Sequence, residues 1–205
     1  MDLQFFGANC LVASGRGVRI VVDDNLANLG GKSVLKAGDV LLKTSPLLDM
    51  PEKSAPKLCI DSPGEYEVND VSIYGIAARG HMDEDSRHSS TLYKLALNDL
   101  TILVTGHIYP ELSEAQLEQI GEIDVMLVPV GGNGYTLDAV GTLKLIKAIE
   151  PKVVIPTHYA DKELKYPVPQ QELDVALKGL VMEPKEVFTK FKMKPSELSD
   201  VTQLV

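Results

Sequence analysis

Lys152-Val-Val-Ile-Pro-Thr-His158-Tyr159 decides the fold. An apolar run of buried-strand type reaches Pro156, stops, and presents an imidazole at its carboxyl end. Open α/β sheets place ligands and metals there, outside the strand ends. Upstream, Ile123-Asp-Val-Met-Leu-Val-Pro-Val130-Gly-Gly-Asn-Gly-Tyr135 repeats the arrangement as apolar strand, glycine turn and helix. Val140, Leu143, Ile146 and Ile149 then recur at helical spacing, predicting a helix over about 136–149 that Pro151 ends.

Before Gly106 the chain punctuates as short strands, over 3–6, 10–13, 18–22, 40–43, 57–60, 71–77, 91–97 and 100–104. Gly7, Gly15 and Gly17 break the first three in the manner of a meander, and Asn98-Asp99 makes a tight hairpin turn. After Gly106 the period becomes helical. Ser113-Glu-Ala-Gln116 has the capping-box pattern, with Leu117 and Ile120 on one face. A polar, proline-bearing loop over 161–170, a last helix over 171–180 and closing strands over 187–192 and 201–205 complete the reading. No repeat or low-complexity linker divides the chain, so one domain over 1–205 is expected.

A chain of 205 residues is long enough for a substantial core. Tryptophan is absent and aromatics make up 5%, so that core has to be built from Val, Leu, Ile and Ala. A formal charge of −9 and a pI near 4.9 repel polyanions, and no basic patch invites a nucleic acid. The opening Met1-Asp-Leu-Gln-Phe-Phe-Gly7 lacks the basic flank and apolar stretch of a signal peptide. No run approaches the ~20 apolar residues of a membrane helix. Cys10 and Cys59, both in strand-like apolar stretches, read as buried thiols of a reducing compartment. A cytoplasmic protein handling a small-molecule ligand or substrate is expected; the sequence leaves its oligomeric state open.

Six segments carry a family resemblance, in order along the chain. They are Gly7-Ala-Asn-Cys10, Ile20-Val-Val-Asp23-Asp24, Pro63-Gly64-Glu65-Tyr66-Glu67 with Val71-Ser-Ile-Tyr-Gly-Ile76, then 101–106, 123–132 and Ile155-Pro-Thr-His158-Tyr159. Together they resemble the metallo-β-lactamase superfamily, in the branch similar to L-ascorbate-6-phosphate lactonase-like metal-dependent hydrolases. The resemblance implies an α/β protein with the four-layer αβ/βα sandwich of the metallo-β-lactamase fold. Active relatives of that kind carry H-x-H-x-D-H after the fourth or fifth strand, and the stretch matching it here is Thr44-Ser45-Pro46-Leu47-Leu48-Asp49-Met50. Ser45 and Leu47 stand where two histidines would, Asp49 remains, and Met50 replaces the last histidine. Leucine has no donor atom, and a thioether is a poor ligand for Zn²⁺ or Mn²⁺. His107, beside Gly106, stands where the resemblance puts a bridging aspartate. His158 matches the final histidine, and His81 falls within a residue of the middle one.

The residual set implied for a metal is therefore Asp49, His81, His107 and His158, with Asp49 also the candidate catalytic group. That set suits one divalent ion, zinc or manganese, or none; a two-metal site has lost too many donors. Plainer alternatives stand beside each residue. His158 could be a strand-end histidine bonded to backbone, His107 a loop residue, His81 and His88 parts of a solvated hairpin, and Asp49 a turn cap. Glu65 and Glu67 have the spacing of an acid–base pair, or of ordinary surface carboxylates. The glycine turn 131–134 could cradle an anion, or simply turn. Two functions stay open. One is a mononuclear hydrolase of a small ester, lactone or phosphoester with a degenerate metal site. The other is a metal-free pseudoenzyme using the old pocket, its floor made apolar by Leu47 and Met50, to bind a ligand or partner.

Overall fold

The computed structural model describes residues 1–46, 48, 56–188, 190–199 and 201–205. Strands β1 (Asp2–Gly7), β2 (Cys10–Gly15) and β3 (Val18–Val22) form the expected meander, and a 3-10 turn at Leu26–Leu29 leads to β4 (Val40–Leu42) and β5 (Leu58–Ile60). Next come β6 (Gly64–Val68), β7 (Val71–Ala78), β8 (Ser90–Leu97) and β9 (Leu100–Val104), in which β7, β8 and β9 each run antiparallel to the strand before. The remainder is α1 (Glu114–Ile120), β10 (Val125–Pro129), α2 (Ala139–Ile149), β11 (Val153–Thr157), α3 (Leu173–Leu180), β12 (Phe191–Lys192) and β13 (Gln203–Leu204). Among the described residues these strands make two mixed sheets, ordered β12-β1-β2-β3-β4-β5 and β13-β11-β10-β9-β8-β7-β6.

Local chemistry explains the joints. Asn98 and Asp99 take φ of 53° and 60°, the left-handed pair that a two-residue hairpin between β8 and β9 requires. At α1 the Ser113 side chain accepts from the Gln116 N–H, and Gln116 Oε1 accepts from the Ser113 N–H at 2.8 Å. α2 begins at Ala139, later than the sequence suggests, because Asp138 is its cap and accepts from the Gly141 N–H at 2.8 Å.

Strand alternation sorts side chains into two cores. Ile102 and Val104 join Leu11, Ile20, Leu42, Ile73 and Leu95 between the sheets. Leu103 points the other way, where Met126, Val128 and Val154 meet Ile120, Leu145, Ile146 and Leu180 of the helices. On the far side of the first sheet, Cys10, Val21 and Leu41 are covered by Leu26, Leu29 and Leu35. The architecture is the expected one, an α/β fold of two mixed sheets packed face to face and flanked by helices.

One polar group joins the sheets deep in this sandwich. Tyr93 is fully buried, and its hydroxyl lies 3.1 Å from the carbonyl oxygens of both Lys43 and Ile60. The Ile60 carbonyl also receives the Lys43 N–H at 2.9 Å, so Tyr93→Phe chiefly deprives the Lys43 carbonyl. The expected cost is about 1–3 kcal/mol, read as a lower urea midpoint with an unchanged slope.

Several expectations change. β6, quoted above as a motif, is a strand at the edge of the second sheet. Its alternation puts Glu65 and Glu67 together on an exposed face, as surface carboxylates. Cys10 is buried but Cys59 is exposed, because β5 ends the first sheet with nothing described beyond it. The two closing strands shrink to two residues each. No helix among the described residues is long and apolar enough to cross a membrane.

Candidate functional site

The carboxyl ends of β3, β4, β7, β9, β10 and β11 supply the residues of one locus. At the end of β3, Asp23 is fully buried, with Oδ1 accepting from the Thr44 N–H at 2.8 Å and Oδ2 accepting from Thr44 Oγ1 and Asn9 Nδ2, both at 2.6 Å. Asn9 Oδ1 in turn accepts from Thr157 Oγ1 at 2.8 Å. This relay ties the start of the Thr44–Met50 stretch, in one sheet, to the residue before His158, in the other. Burial pushes the Asp23 carboxyl up to about 6, against the pull of the Thr44 and Asn9 hydrogen bonds.

His158 leaves β11 in the left-handed region, φ 54°, a conformation a non-glycine residue adopts at some cost. Its N–H donates to the Ala8 carbonyl at 2.7 Å, which fixes the turn. His107 follows β9 through Gly106, and the two imidazoles meet edge to face, centroids 4.6 Å apart and planes at 88°. Tyr135, from the glycine turn after β10, packs its ring 5.4 Å from His107 and 5.8 Å from His158. His81 follows β7 and is laced to the same place, since its N–H donates to the His107 carbonyl at 2.8 Å.

A cavity of about 60 Å³ opens here, lined by Ser45, Leu48, His81, Ser90, His107 and Tyr135 among others. Two of the histidines that line it each bury a ring nitrogen without a hydrogen-bond partner, His81 Nδ1 and His107 Nε2. Burial drives the His107 ring down to about 3, helped by His158 beside it, and His158 down to about 4; burial also lowers His81. All three rings are thus neutral near pH 7, the form that offers a lone pair to an electrophile.

Some of the residues that the sequence assigned to one site lie together here. Ser45 and Leu48 of the motif stretch share the cavity with His81 and His107, and His107 abuts His158. Asp49, the candidate catalytic and metal-binding carboxylate, lies outside the described residues, as do Leu47 and Met50. His88 is exposed on the hairpin between β7 and β8. Among the described residues no three His, Cys, Asp or Glu side chains approach closely enough to hold an ion. The two orphaned nitrogens supply part of an ion's donor set, and among the described residues no third donor completes it. Sequence reasoning did not assign roles to Tyr135, to the Asp23–Asn9–Thr157 relay or to Gln170. Tyr135 was visible in the glycine turn; Gln170 sits in a polar loop with no local signal.

Two sheets face to face, with imidazoles gathered at their carboxyl ends, define a metallo-β-lactamase-fold protein. A sequence model of the beta-lactamase superfamily domain matches residues 2–158, and the chain belongs to that family. A UPF0173 metal-dependent hydrolase of Pyrococcus horikoshii is 32% identical over 100 residues, 47% of this chain and 44% of that protein. Its counterpart from Thermoplasma acidophilum is 44% identical over 46 residues, 21% of this chain and 20% of its own. The chain thus spans less than half the length of these curated relatives. Among solved structures, a Thermotoga maritima protein named as a Zn-dependent hydrolase of the metallo-β-lactamase superfamily superposes with a TM-score of 0.73 at 26% identity. That match covers 100% of this chain and 98% of the other.

Proposed function

We propose that this protein is a hydrolase of a small ester, lactone or phosphoester that works with one divalent ion, zinc or manganese, in a degenerate form of the family's metal site. The carrying observation is the pair of buried, unpartnered nitrogens, His81 Nδ1 and His107 Nε2, on two residues that line a single cavity. Leaving a buried acceptor unsatisfied costs about 1–3 kcal/mol, a cost that a bound cation removes. His81 and His107 would offer these two nitrogens to the ion, with Asp49 as the carboxylate partner; His158, which does not cluster with both of them, would join the set only by drawing nearer. A divalent ion supplies Lewis acidity, activating water and polarising the oxygen of the bond to be cut. The chain's own part is to keep three imidazoles neutral by burial and to wall the pocket with Leu48 and Tyr135. The relatives' names, metal-dependent and Zn-dependent hydrolases, support the same reading.

A second reading has its own observation. Leu48 lines the cavity, and no three donors cluster among the described residues, as suits a metal-free pseudoenzyme that binds a small ligand there. Elemental analysis of protein purified without chelator separates the two. Near-stoichiometric zinc or manganese that is lost in His107→Ala and His158→Ala is expected. A folded wild-type protein that is free of metal, and inert to ester and phosphoester panels after metal is added, would leave the second reading alone.

A further inference from the structure

We infer that Gln170 is a positioning residue that sets the tautomer of His158, keeping the ring proton on Nδ1 and the lone pair on Nε2. His158 Nδ1 lies 3.1 Å from Gln170 Oε1, in a buried contact. Which end of the amide faces the ring is decided elsewhere. Gln170 Nε2 donates to the Val168 carbonyl at 2.7 Å, and a carbonyl oxygen only accepts. The NH₂ end is therefore committed to Val168, Oε1 must face the histidine, and the nitrogen opposite an acceptor must carry the proton.

The surrounding backbone holds this geometry. The Ala160 N–H donates to the Gln171 carbonyl and the Gln171 N–H to the Gly131 carbonyl, both at 2.8 Å, so the loop over 161–169 is clamped beside the exit of β10. Gly131 presses on the pair from the other side. A Cβ there would overlap both Gln170 Oε1 and the His158 carbonyl oxygen, so only glycine lets the amide sit where it does. Both side chains are shielded, with 8% of Gln170 and 3% of His158 exposed. A neutral amide is suited to this task, since it orients the ring without adding charge to a pocket whose imidazoles burial keeps neutral. The role as a positioning residue rests on the proposed function, with His158 drawing near enough to give a nitrogen to the ion. The tautomer itself does not depend on it.

The test reads the tautomer directly, from two-bond ¹⁵N–¹H correlations of the histidine rings in chelator-treated protein, with His158 assigned by loss of its signals in His158→Gln. Wild type is expected to show the Nδ1–H form, Gln170→Leu the Nε2–H form that a free imidazole favours, and Gln170→Glu, which keeps an acceptor, the Nδ1–H form again. An Nε2–H signal in wild type overturns the inference. So does an Nδ1–H signal that survives in Gln170→Leu, which would assign the task to the His158 backbone, the ring's other hydrogen-bond partner. Should the leucine variant fail to fold, the wild-type spectrum and Gln170→Glu still decide, since Nε2–H in either contradicts the assignment. Titration with Zn²⁺ separates this from the function itself, with affinity in Gln170→Leu expected to fall about 10–100-fold. A tautomer switch with unchanged zinc affinity leaves the lock standing and removes His158 from the ligand set. Zinc binding without a tautomer switch does the reverse.

Discussion

Gly106→Ala is expected to lower stability by roughly 2–5 kcal/mol, and to disturb the turn at Thr44 while leaving the rest of the sandwich recognisable. Two costs combine. Gly106 has φ 60°, where an L side chain costs about 1–2 kcal/mol. A Cβ there would also overlap Cβ and Oγ1 of Thr44, a fully buried residue. Overpacking of that sort adds about 1–3 kcal/mol. Thr44 cannot simply retreat, because its N–H and hydroxyl are both bonded to Asp23. Gly17 provides the control, with φ 72° and nothing within 4 Å of a Cβ. Gly17→Ala should show the backbone cost alone, roughly 2–8 °C in Tm, against roughly 4–20 °C for Gly106→Ala. Equal losses in the two variants would mean that β9 and the Thr44 turn do not press together as described.

Asp23→Ala should cost a similar amount, about 2–5 kcal/mol at pH 7. It strands three buried donors, the Thr44 N–H, Thr44 Oγ1 and Asn9 Nδ2, and frees Asn9 to swing away from Thr157. Relief from carrying a buried carboxylate offsets part of that loss. The offset has a pH signature. Folding raises the Asp23 carboxyl from 3.8 to about 6 through burial, so its protonated form favours the folded state. Its contribution is fully present below about pH 3.8 and fades as pH rises through about 6, by up to about 3 kcal/mol. The histidines have the opposite sign. Burial lowers His107 to about 3 and His158 to about 4 from 6.5, so the unfolded chain takes up protons first and acidification below about 6.5 removes stability. Because both trends run through the same window, the Asp23 part is isolated by subtracting Asp23→Asn from wild type at each pH. That difference should shrink from pH 4 to 7 and stay flat if Asp23 is already ionised at pH 4.

The order of strands and helices was legible because it rests on local rules. Alternation and glycine punctuation gave the β-rich half, and Asn98-Asp99 gave the hairpin where two left-handed residues are needed. Helical spacing from Val140 to Ile149 gave α2, with its start misplaced because a cap depends on one side-chain bond, from Asp138. β6 escaped notice as a strand because its apolar face is only Tyr66 and Val68, set between the exposed Glu65 and Glu67, and its pairing with β7 comes from the neighbouring strand. Cys59 was misjudged for a related reason. Whether an apolar strand is covered depends on its place in the sheet, and among the described residues β5 is an edge.

For the candidate site, the sequence by itself determined which imidazoles stand at strand ends, because strand ends and residue types are properties of the string. Only the tertiary structure decided that His107 and His158 touch, that His81 and His107 each hold an unpartnered nitrogen, and that Gln170 faces His158. These facts turn on two sheets stacking with their carboxyl ends together, and on a loop clamped beside β10. Such contacts join residues far apart along the chain, and no local pattern of side chains encodes which lone pair will be left without a partner.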